Sequence, residues 1–249
     1  MSIVIPAYNE AGRIRASLDR VALYLRRPGV VPGPVEIVVV DDASRDATAA
    51  IVAEAAADVR PAPIRLLRND VNHGKGYSIK HGFLLSQGTY VLLSDADFST
   101  PIDDLPRLLG PVAEGRCDVA IGSRGLAASA VEVPQPFWRQ TMGRTFNRIV
   151  RWMTGLPFKD TQCGFKVMRR AAALPLFRAA RVERFAYDVE ILYLARKAGL
   201  RVEEIPVHWR DAPGSKVHPV VDSMEMLKDV TRILWRDRRG RYGRIGSGT

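Results

Sequence analysis

Cysteine is nearly absent: Cys117 and Cys163 are the only two in 249 residues. Two are too few for a disulfide framework and match no zinc spacing, so exposure to a reducing cytosol is expected. Long hydrophobic runs are missing too. The longest stretch without Asp, Glu, Lys or Arg is His81 to Ser94, and it contains Gly, Gln, Ser and Thr. It falls short of the ~18–20 apolar residues that span a bilayer. The N-terminus enters an apolar run at once with no cleavage site, so no signal peptide is expected. His73, His81, His208 and His218 show no metal-ligand spacing. No G-x-G-x-x-G follows the first apolar run, and Gly74-Lys75-Gly76 is too short for G-x-x-x-x-G-K-[ST]. Dinucleotide-dependent oxidoreduction and P-loop NTPase chemistry are therefore disfavoured.

What is present is an ordinary globular composition, 47% hydrophobic and 26% charged, with a formal charge of +10. It excludes disorder as the main state, and the length suits one large α/β domain, or one domain plus a short appendage. The charge is divided unevenly. Residues 1–125 hold 14 Lys and Arg against 15 Asp and Glu, whereas residues 126–249 hold 23 against 12. Such asymmetry points to a polyanion met by the second half: nucleic acid, an anionic membrane surface or a phosphorylated substrate. An Arg-rich solubilising surface would give the same composition.

The first half alternates short β-branched runs with amphipathic stretches. Strands are expected at Ser2 to Tyr8, Val35 to Val40, Ile64 to Leu67, Tyr90 to Ser94 and Asp118 to Arg124. A helix presenting Ile14, Leu18, Val21 and Leu25 follows the first, and an alanine-rich helix capped by Ser44 or Asp46 follows the second. The pattern predicts βαβ units and a mostly parallel sheet flanked by helices. The second half is less regular. Helices are expected from about Arg139 to Met153, Tyr187 to Ala198 and Asp222 to Trp235, with a polar-aromatic turn from Asp160 to Lys166. Val202 to Trp209 reads as one edge strand, because Pro206 cannot donate to a ladder. Residues 236–249 read as a basic, flexible tail.

Polar clusters follow the strands: Tyr8, Asn9 and Glu10; Asp41 and Asp42; Asp95 and Asp97; Ser123 and Arg124. In open α/β sheets ligands gather beyond those carboxyl ends, so the clusters should converge on one crevice. Asp95-Ala96-Asp97 can hold Mg2+ or Mn2+ together with substrate phosphates, although aspartates there also serve as turn and cap residues, as Asp103 or Asp104 could. Asp42 can accept a hydrogen bond from a ribose or base, or cap the next helix. Gly74 and Gly76 permit close backbone approach, and Lys75 offers a point charge near phosphate. Asp160, Asp188 and Glu190 could orient hydroxyls, or cap helices, or pair with Arg184. Cys163 reads as inert packing. The Arg139–Met153 helix, with Met142, Phe146, Ile149, Val150 and Met153 on one face and arginines opposite, fits either a membrane surface or a helix packed on the domain. Trp138, Trp152 and Trp235 could anchor at an interface or sit in the core.

Ile5-Pro-Ala-Tyr-Asn-Glu10, Val39-Val-Asp-Asp-Ala-Ser44, Asn72-His-Gly-Lys-Gly76, Asp95-Ala-Asp-Phe-Ser-Thr-Pro101 and Ile121-Gly-Ser-Arg124 resemble the ordered motifs of inverting family 2 glycosyltransferases with the GT-A fold. Asp160-Thr-Gln-Cys-Gly-Phe-Lys166, Phe185-Ala-Tyr-Asp-Val-Glu190 and Trp209-Arg-Asp-Ala-Pro-Gly-Ser-Lys216 are similar to polyprenyl-phosphate sugar synthases, most closely dolichyl-phosphate β-glucosyltransferases. The resemblance implies a single GT-A domain over 1–235, with a nucleotide-sugar half (1–125) and an acceptor half (126–235) that carries C-terminal basic helices. It implies transfer of a hexose, glucose from UDP-glucose, to a dolichyl or undecaprenyl phosphate. Pro6, Tyr8, Glu10 and Asp42 would hold the nucleoside, with Lys75, Gly76 and Ala96 also on the donor side. Asp95 and Asp97 would bind the metal. Ser99 stands where mannosyl relatives often carry a glutamine that helps at the metal. Arg124 and Arg139 would receive the acceptor phosphate. Arg210, Ser215 and Lys216 would clamp the donor phosphates. Apart from the resemblance, Gln162, like Asp160, could hydrogen-bond a sugar hydroxyl, or it could be an ordinary turn residue.

The expected setting is peripheral, on the cytosolic face of a membrane, with an anionic surface and a separate membrane protein as candidate partners. Mannosyl transfer from GDP-mannose, or transfer to a non-lipid acceptor, is the nearest rival. A nucleic-acid-binding module ranks lower, since no reading motif accompanies the tail Arg236 to Arg244 and no nucleic-acid partner is expected.

Overall fold

Apolar runs of alternating facing make the centre of the molecule a sheet covered on both sides. The structure is a computed structural model that describes residues 1–58, 61–133, 137–210, 219–243 and 245–246; for 131–133, 137–140 and 219–221 the description stops at the backbone. The strands are Ser2–Ala7 (β1), Glu36–Asp41 (β2), Ile64–Arg68 (β3), Tyr90–Leu93 (β4), Val119–Ser123 (β5), Ala130–Val133 (β6), Lys166–Arg169 (β7), Val202–Pro206 (β8) and His208–Arg210 (β9). The helices are Ile14–Leu25 (α1), Thr48–Ala57 (α2), Lys75–Leu85 (α3), Leu105–Ala113 (α4), Phe137–Thr154 (α5), Arg170–Ala179 (α6), Tyr187–Lys197 (α7) and Pro219–Arg238 (α8).

The main sheet runs β3-β2-β1-β4-β7-β5-β8. Every pairing in it is parallel except those of β7, which is antiparallel to both β4 and β5. Alternation along the strands sends Val4, Val38, Val40, Val91 and Leu93 to one face, where α3, α6, α7 and α8 cover them. Ile3, Ile5, Ile37, Val39 and Leu92 point to the other face, under α1, α2 and α4. Both faces are buried, as parallel sheets require.

Several expectations change. The segment ending the expected turn at Lys166 continues as β7, inserted antiparallel in the sheet, and α6 follows it directly. The single edge strand of residues 202–209 breaks at Val207. Its first part stays at the sheet edge as β8, and β9 leaves to pair with β6 in a two-stranded ribbon. Neither Ser44 nor Asp46 is the N-cap of α2, which is Ala47. Instead Ser44 Oγ accepts the Asn9 N–H (2.9 Å), and Asp46 accepts the N–H groups of Ala11 (3.1 Å) and Thr48 (3.0 Å), so both knit two strand-end loops together. Helix α5 turns Phe146 and Val150 into the core but leaves Ile149 and Trp152 exposed. Helix α8 extends to Arg238, and Tyr242 is buried beyond it.

Helix α3 reaches the sheet through Gly82. A Cβ there would stand 2.5 Å from a Val4 methyl and 2.9 Å from a Val40 methyl. β-branched side chains in a central strand have no room to retreat. Gly82→Ala is therefore expected to destabilise the protein by about 1–3 kcal/mol through overpacking, read as a lower urea midpoint; an unchanged midpoint would mean that α3 is not held at this distance.

Candidate active site

The chain runs outward from β1 to β2 to β3 and is then carried back by α3 to β4, on the other side of β1. Ligands collect at such a reversal of strand order. A cleft of about 890 Å³ opens there. Three non-glycine residues with left-handed backbone lie in the loops that follow β1, β2 and β4: Asn9 (φ 54°), Ala43 (φ 56°) and Phe98 (φ 47°). Strain of this kind persists only where surrounding contacts enforce it, and it concentrates at functional sites. Here the enforcement is visible. The Arg45 N–H donates to Asn9 Oδ1 (2.8 Å) and the Glu10 N–H to Thr48 Oγ1 (2.7 Å).

Asp95 and Asp97 follow β4 and line the cleft. Lys75, the first residue of α3, sets its ammonium 2.6 Å from Asp95. Burial is the largest influence and tends to raise the Asp95 carboxyl, but the charge and hydrogen bond of Lys75, with the charges of Lys166 and Arg124, together outweigh it and hold the group below the usual carboxylate range. Burial likewise tends to lower Lys75, and Asp95 pushes it up to about 12. Asp97 is raised, first by burial and then by Asp95. Arg13 lies 3.7 Å from Asp97 and is ion-paired to Glu10. Gly164 closes over Asp95, since a Cβ there would fall 2.3 Å from its Oδ2. Two oxygen-donor carboxylates that repel one another, at the edge of an open cleft, suit a hard divalent cation that shares its shell with phosphates. Among the described residues no cluster of three or more His, Cys, Asp and Glu accompanies them.

Asp42 is fully committed in the structure. Its carboxylate accepts from Asn69 Nδ2 (2.7 Å), the His73 N–H (3.1 Å) and the Gly74 N–H (2.7 Å), so it shapes the loop that delivers Lys75. Gly74 and Gly76 serve that delivery. Their missing side chains make room for the backbone of residues 182–184, and the space at Gly76 is also closed by Tyr187. Gly76 itself is not among the residues lining the cleft, although its neighbour Lys75 is.

On the opposite wall Arg124 and Asp160 form a bidentate pair, Nε to Oδ2 at 2.6 Å and Nη2 to Oδ1 at 2.9 Å, and the Arg124 N–H adds a third bond at 3.0 Å. Burial works against both charges. Their mutual attraction wins, raising Arg124 and lowering Asp160 to about 2. The Trp209 ring lies 5.5 Å from the guanidinium. Gln162 donates its N–H to Asp160 and its amide to the Met226 sulfur. Beneath the cleft the fully buried Lys166 bonds the Asp188 carboxylate and the Cys163 carbonyl. Burial raises Asp188, with Lys166 and Lys75 opposing. Arg184 pairs with Glu225 at 3.5 Å and not with Asp160, Asp188 or Glu190.

Of the residues singled out in the sequence, the cleft gathers Pro6, Tyr8, Glu10, Asp42, Lys75, Asp95, Ala96, Asp97, Ser99, Arg124, Asp160 and Gln162. Arg210 is exposed at the end of β9, outside the lining, where its N–H donates to the Ser99 carbonyl (2.9 Å). The Arg139 side chain, Ser215 and Lys216 lie outside the described residues. Arg13, Gly164 and Lys166 were missed. Gly164 and Lys166 lie inside the Asp160–Lys166 motif, which was the signal available for both; nothing in the sequence singles out Arg13.

Asp160 carries a consequence for stability. Its folded value lies below its ordinary 3.8, so its contribution is complete above about pH 4 and is lost as the pH falls through about 2. Asp160→Asn should lose about 2 kcal/mol at pH 7, and the gap in urea midpoint from the wild type should close as the pH drops from 5 toward 2. A gap independent of pH would show that charge is not what joins Asp160 to Arg124.

Residues 2–176 match the family model described as Glycosyl transferase family 2. The chain is 36% identical over 242 residues to a dolichyl-phosphate beta-glucosyltransferase of Dictyostelium discoideum, covering 95% of this chain and 74% of the relative. It is 33% identical over 247 residues to the protein of that name in Saccharomyces cerevisiae, covering 94% and 73%. In fold it is similar to a glucosyl-3-phosphoglycerate synthase of Mycobacterium tuberculosis solved with Mn2+, UDP-glucose and glycerol 3-phosphate (TM-score 0.67, 19% identity, 96% of this chain and 79% of that one). With its mostly parallel sheet, its cleft at the strand-order reversal and a family match over most of its length, the chain belongs to the family 2 glycosyltransferases of GT-A fold.

Proposed function

We propose that the protein transfers glucose from UDP-glucose to dolichyl phosphate, or to a similar polyprenyl phosphate, with inversion at the anomeric carbon. One observation carries this reading. The paired carboxylates Asp95 and Asp97 face the bidentate Arg124 across a single cleft, in a chain 36% identical to a dolichyl-phosphate beta-glucosyltransferase.

The chemistry follows from the two walls. On the donor wall Asp95 and Asp97 would hold Mg2+ or Mn2+, which when bound stabilises the charge developing on the departing nucleotide diphosphate. Lys75 offers a further ammonium at the same place. On the acceptor wall Arg124 gives two of its five N–H donors to Asp160, which leaves forked donors for a phosphate monoester. An oxygen of that phosphate attacks the anomeric carbon, the bond from that carbon to the diphosphate oxygen breaks, and UDP leaves. The attacking oxygen is already anionic at neutral pH, so alignment and charge compensation replace a strong general base. Attack opposite the leaving group turns an α-linked donor into a β-linked product.

Access to a lipid substrate falls to the surface, because no described helix is long and apolar enough to cross a membrane. Helix α5 presents Arg144, Arg148 and Arg151 to solvent beside Ile149 and the 85% exposed Trp152. Cations over headgroups with an aromatic at the boundary suit an anionic membrane surface. The reading assigns the enzyme to the cytosolic face, where its two buried, unpaired cysteines would stay reduced.

The test is label from UDP-[14C]glucose appearing in an organic extract when metal and dolichyl phosphate are supplied. Asp95→Asn and Asp97→Asn should each lower transfer at least about 100-fold, EDTA should abolish it, and GDP-mannose should substitute poorly. Wild-type transfer by both variants would sink the mechanism. Preference for GDP-mannose would replace the donor.

A further inference from the structure

A second hollow, of about 420 Å³, is walled by Arg181, Arg236, Arg241 and Tyr242. It is distinct from the cleft. Asp222 near the start of α8 lines the cleft, whereas Arg236 lies fourteen residues further on, about 21 Å along the helix.

The hollow is built around one buried carboxylate. Glu190 of α7, fully buried, accepts the Arg181 N–H (2.9 Å) and the Val182 N–H (2.7 Å) on Oε2, and the Tyr242 hydroxyl (2.5 Å) on Oε1. These bonds pin the α6–α7 connection and the chain beyond α8 to the same point. The Arg241 N–H then donates to the Arg236 carbonyl at 2.9 Å, folding the chain back over the helix end. Arg241 also lies over the Trp235 ring at 4.6 Å. Three arginines from three segments are thereby brought together.

Their charges are poorly compensated. Arg236 stands beside Glu190 and Tyr242, but that one carboxylate is already bonded by three donors. Among the described residues none of the three guanidiniums forms an ion pair with a carboxylate, whereas such pairs are common elsewhere in the molecule, as at Arg124 and Arg169. Lys80 adds to the crowding: its ammonium donates to the Ala180 carbonyl (2.7 Å), and burial, then the Arg181 charge, lowers its proton affinity. A cation in the last turn of a helix complements the helix dipole. That accounts for Arg236 alone, because Arg181 and Arg241 lie off the helix. Nor does the cleft account for the basic excess of the second half, since its described lining carries six Lys and Arg against seven Asp and Glu.

We propose that this hollow binds a phosphate group, with Arg181, Arg236 and Arg241 as its donors. Planar guanidiniums converging from three sides match phosphate oxygens, and an anion there relieves their mutual repulsion. The group could be carried by an anionic lipid headgroup or by a soluble phosphate, and the two are separable. The proposal stands independently of the transfer reaction, and its test needs neither sugar nucleotide nor polyprenyl phosphate.

The full-length chain is compared with the double variant Arg181→Gln/Arg241→Gln, which keeps Arg236, Tyr242 and Glu190 in place. A second double variant, Arg148→Gln/Arg151→Gln, removes the same charge from α5. In one arm, flotation measures binding to phosphatidylcholine vesicles with and without 20% phosphatidic acid (about that content suffices to give a negative surface). In the other, inorganic phosphate is titrated and thermal stabilisation is read. If a headgroup is the ligand, the hollow variant loses roughly tenfold or more in affinity for the anionic vesicles, more than the α5 variant does. If a soluble phosphate is the ligand, phosphate stabilises the wild type and the α5 variant but not the hollow variant. The proposal is overturned if the hollow variant matches the wild type in both arms, or if its only change is a vesicle loss no greater than that of the α5 variant.

Discussion

Asp95 and Asp97 stand two residues apart at the end of a buried strand, where each disfavours the charge of the other. Their arrangement depends on the neighbours that compensate it. Lys75 sits on Asp95 because Asp42 shapes the preceding loop, and because Gly74 and Gly76 let α3 begin hard against residues 182–184. Arg13 reaches toward Asp97 from the loop after β1, held by Glu10. Gly164 covers Asp95 because β7 turns back into the sheet immediately after it, with Lys166 fastened to Asp188 below. One local repulsion therefore draws on four separate loops and a buried ion pair. A buried pair of that kind contributes little net stability, but removal of either partner is expensive, which fixes the geometry above it.

The same economy of charge marks the whole cleft. Cations and carboxylates nearly balance along its described lining, so a nucleotide diphosphate would be held by directed contacts and not by a broad positive field. The net charge of +10 sits instead on outer surfaces, where α5 carries exposed arginines and the chain end carries the arginine hollow. A balanced interior with a basic exterior would let the proposed reaction meet an anionic surface without trapping its own product.

Much of this could be read from the sequence, for identifiable reasons. The parallel strands were legible because burial on both faces makes them continuous apolar runs, and the convergence of Tyr8, Asp42, Asp95 and Arg124 followed from the rule that ligands meet strand carboxyl ends. β7 was not legible: four residues that begin with a lysine carry no periodicity, and their strand character comes from β4 and β5 on either side. The break between β8 and β9 escaped for the same reason, since β9 exists through its pairing with β6. At Gly76 the sequence announces a close approach but not what approaches: a Cβ there would meet Tyr187 and the backbone of residues 182 and 184. Asp188 was recognised as a candidate, but its partner Lys166, 22 residues away, could be paired with it only by the fold.

The Arg124–Asp160 pair bears on how an anionic nucleophile can be both held and left reactive. A bare buried guanidinium would bind a phosphate monoester tightly and withdraw charge from the oxygen that must attack. Asp160, held near pKa 2, remains charged at neutral pH and offsets part of that pull, while the Trp209 ring lies 5.5 Å from the guanidinium. In the proposed reaction Arg124 would then act chiefly through the direction of its remaining N–H groups, placing the acceptor oxygen in line with the departing diphosphate. Orientation by forked donors with muted net charge is what a reaction needs when its nucleophile arrives already ionised.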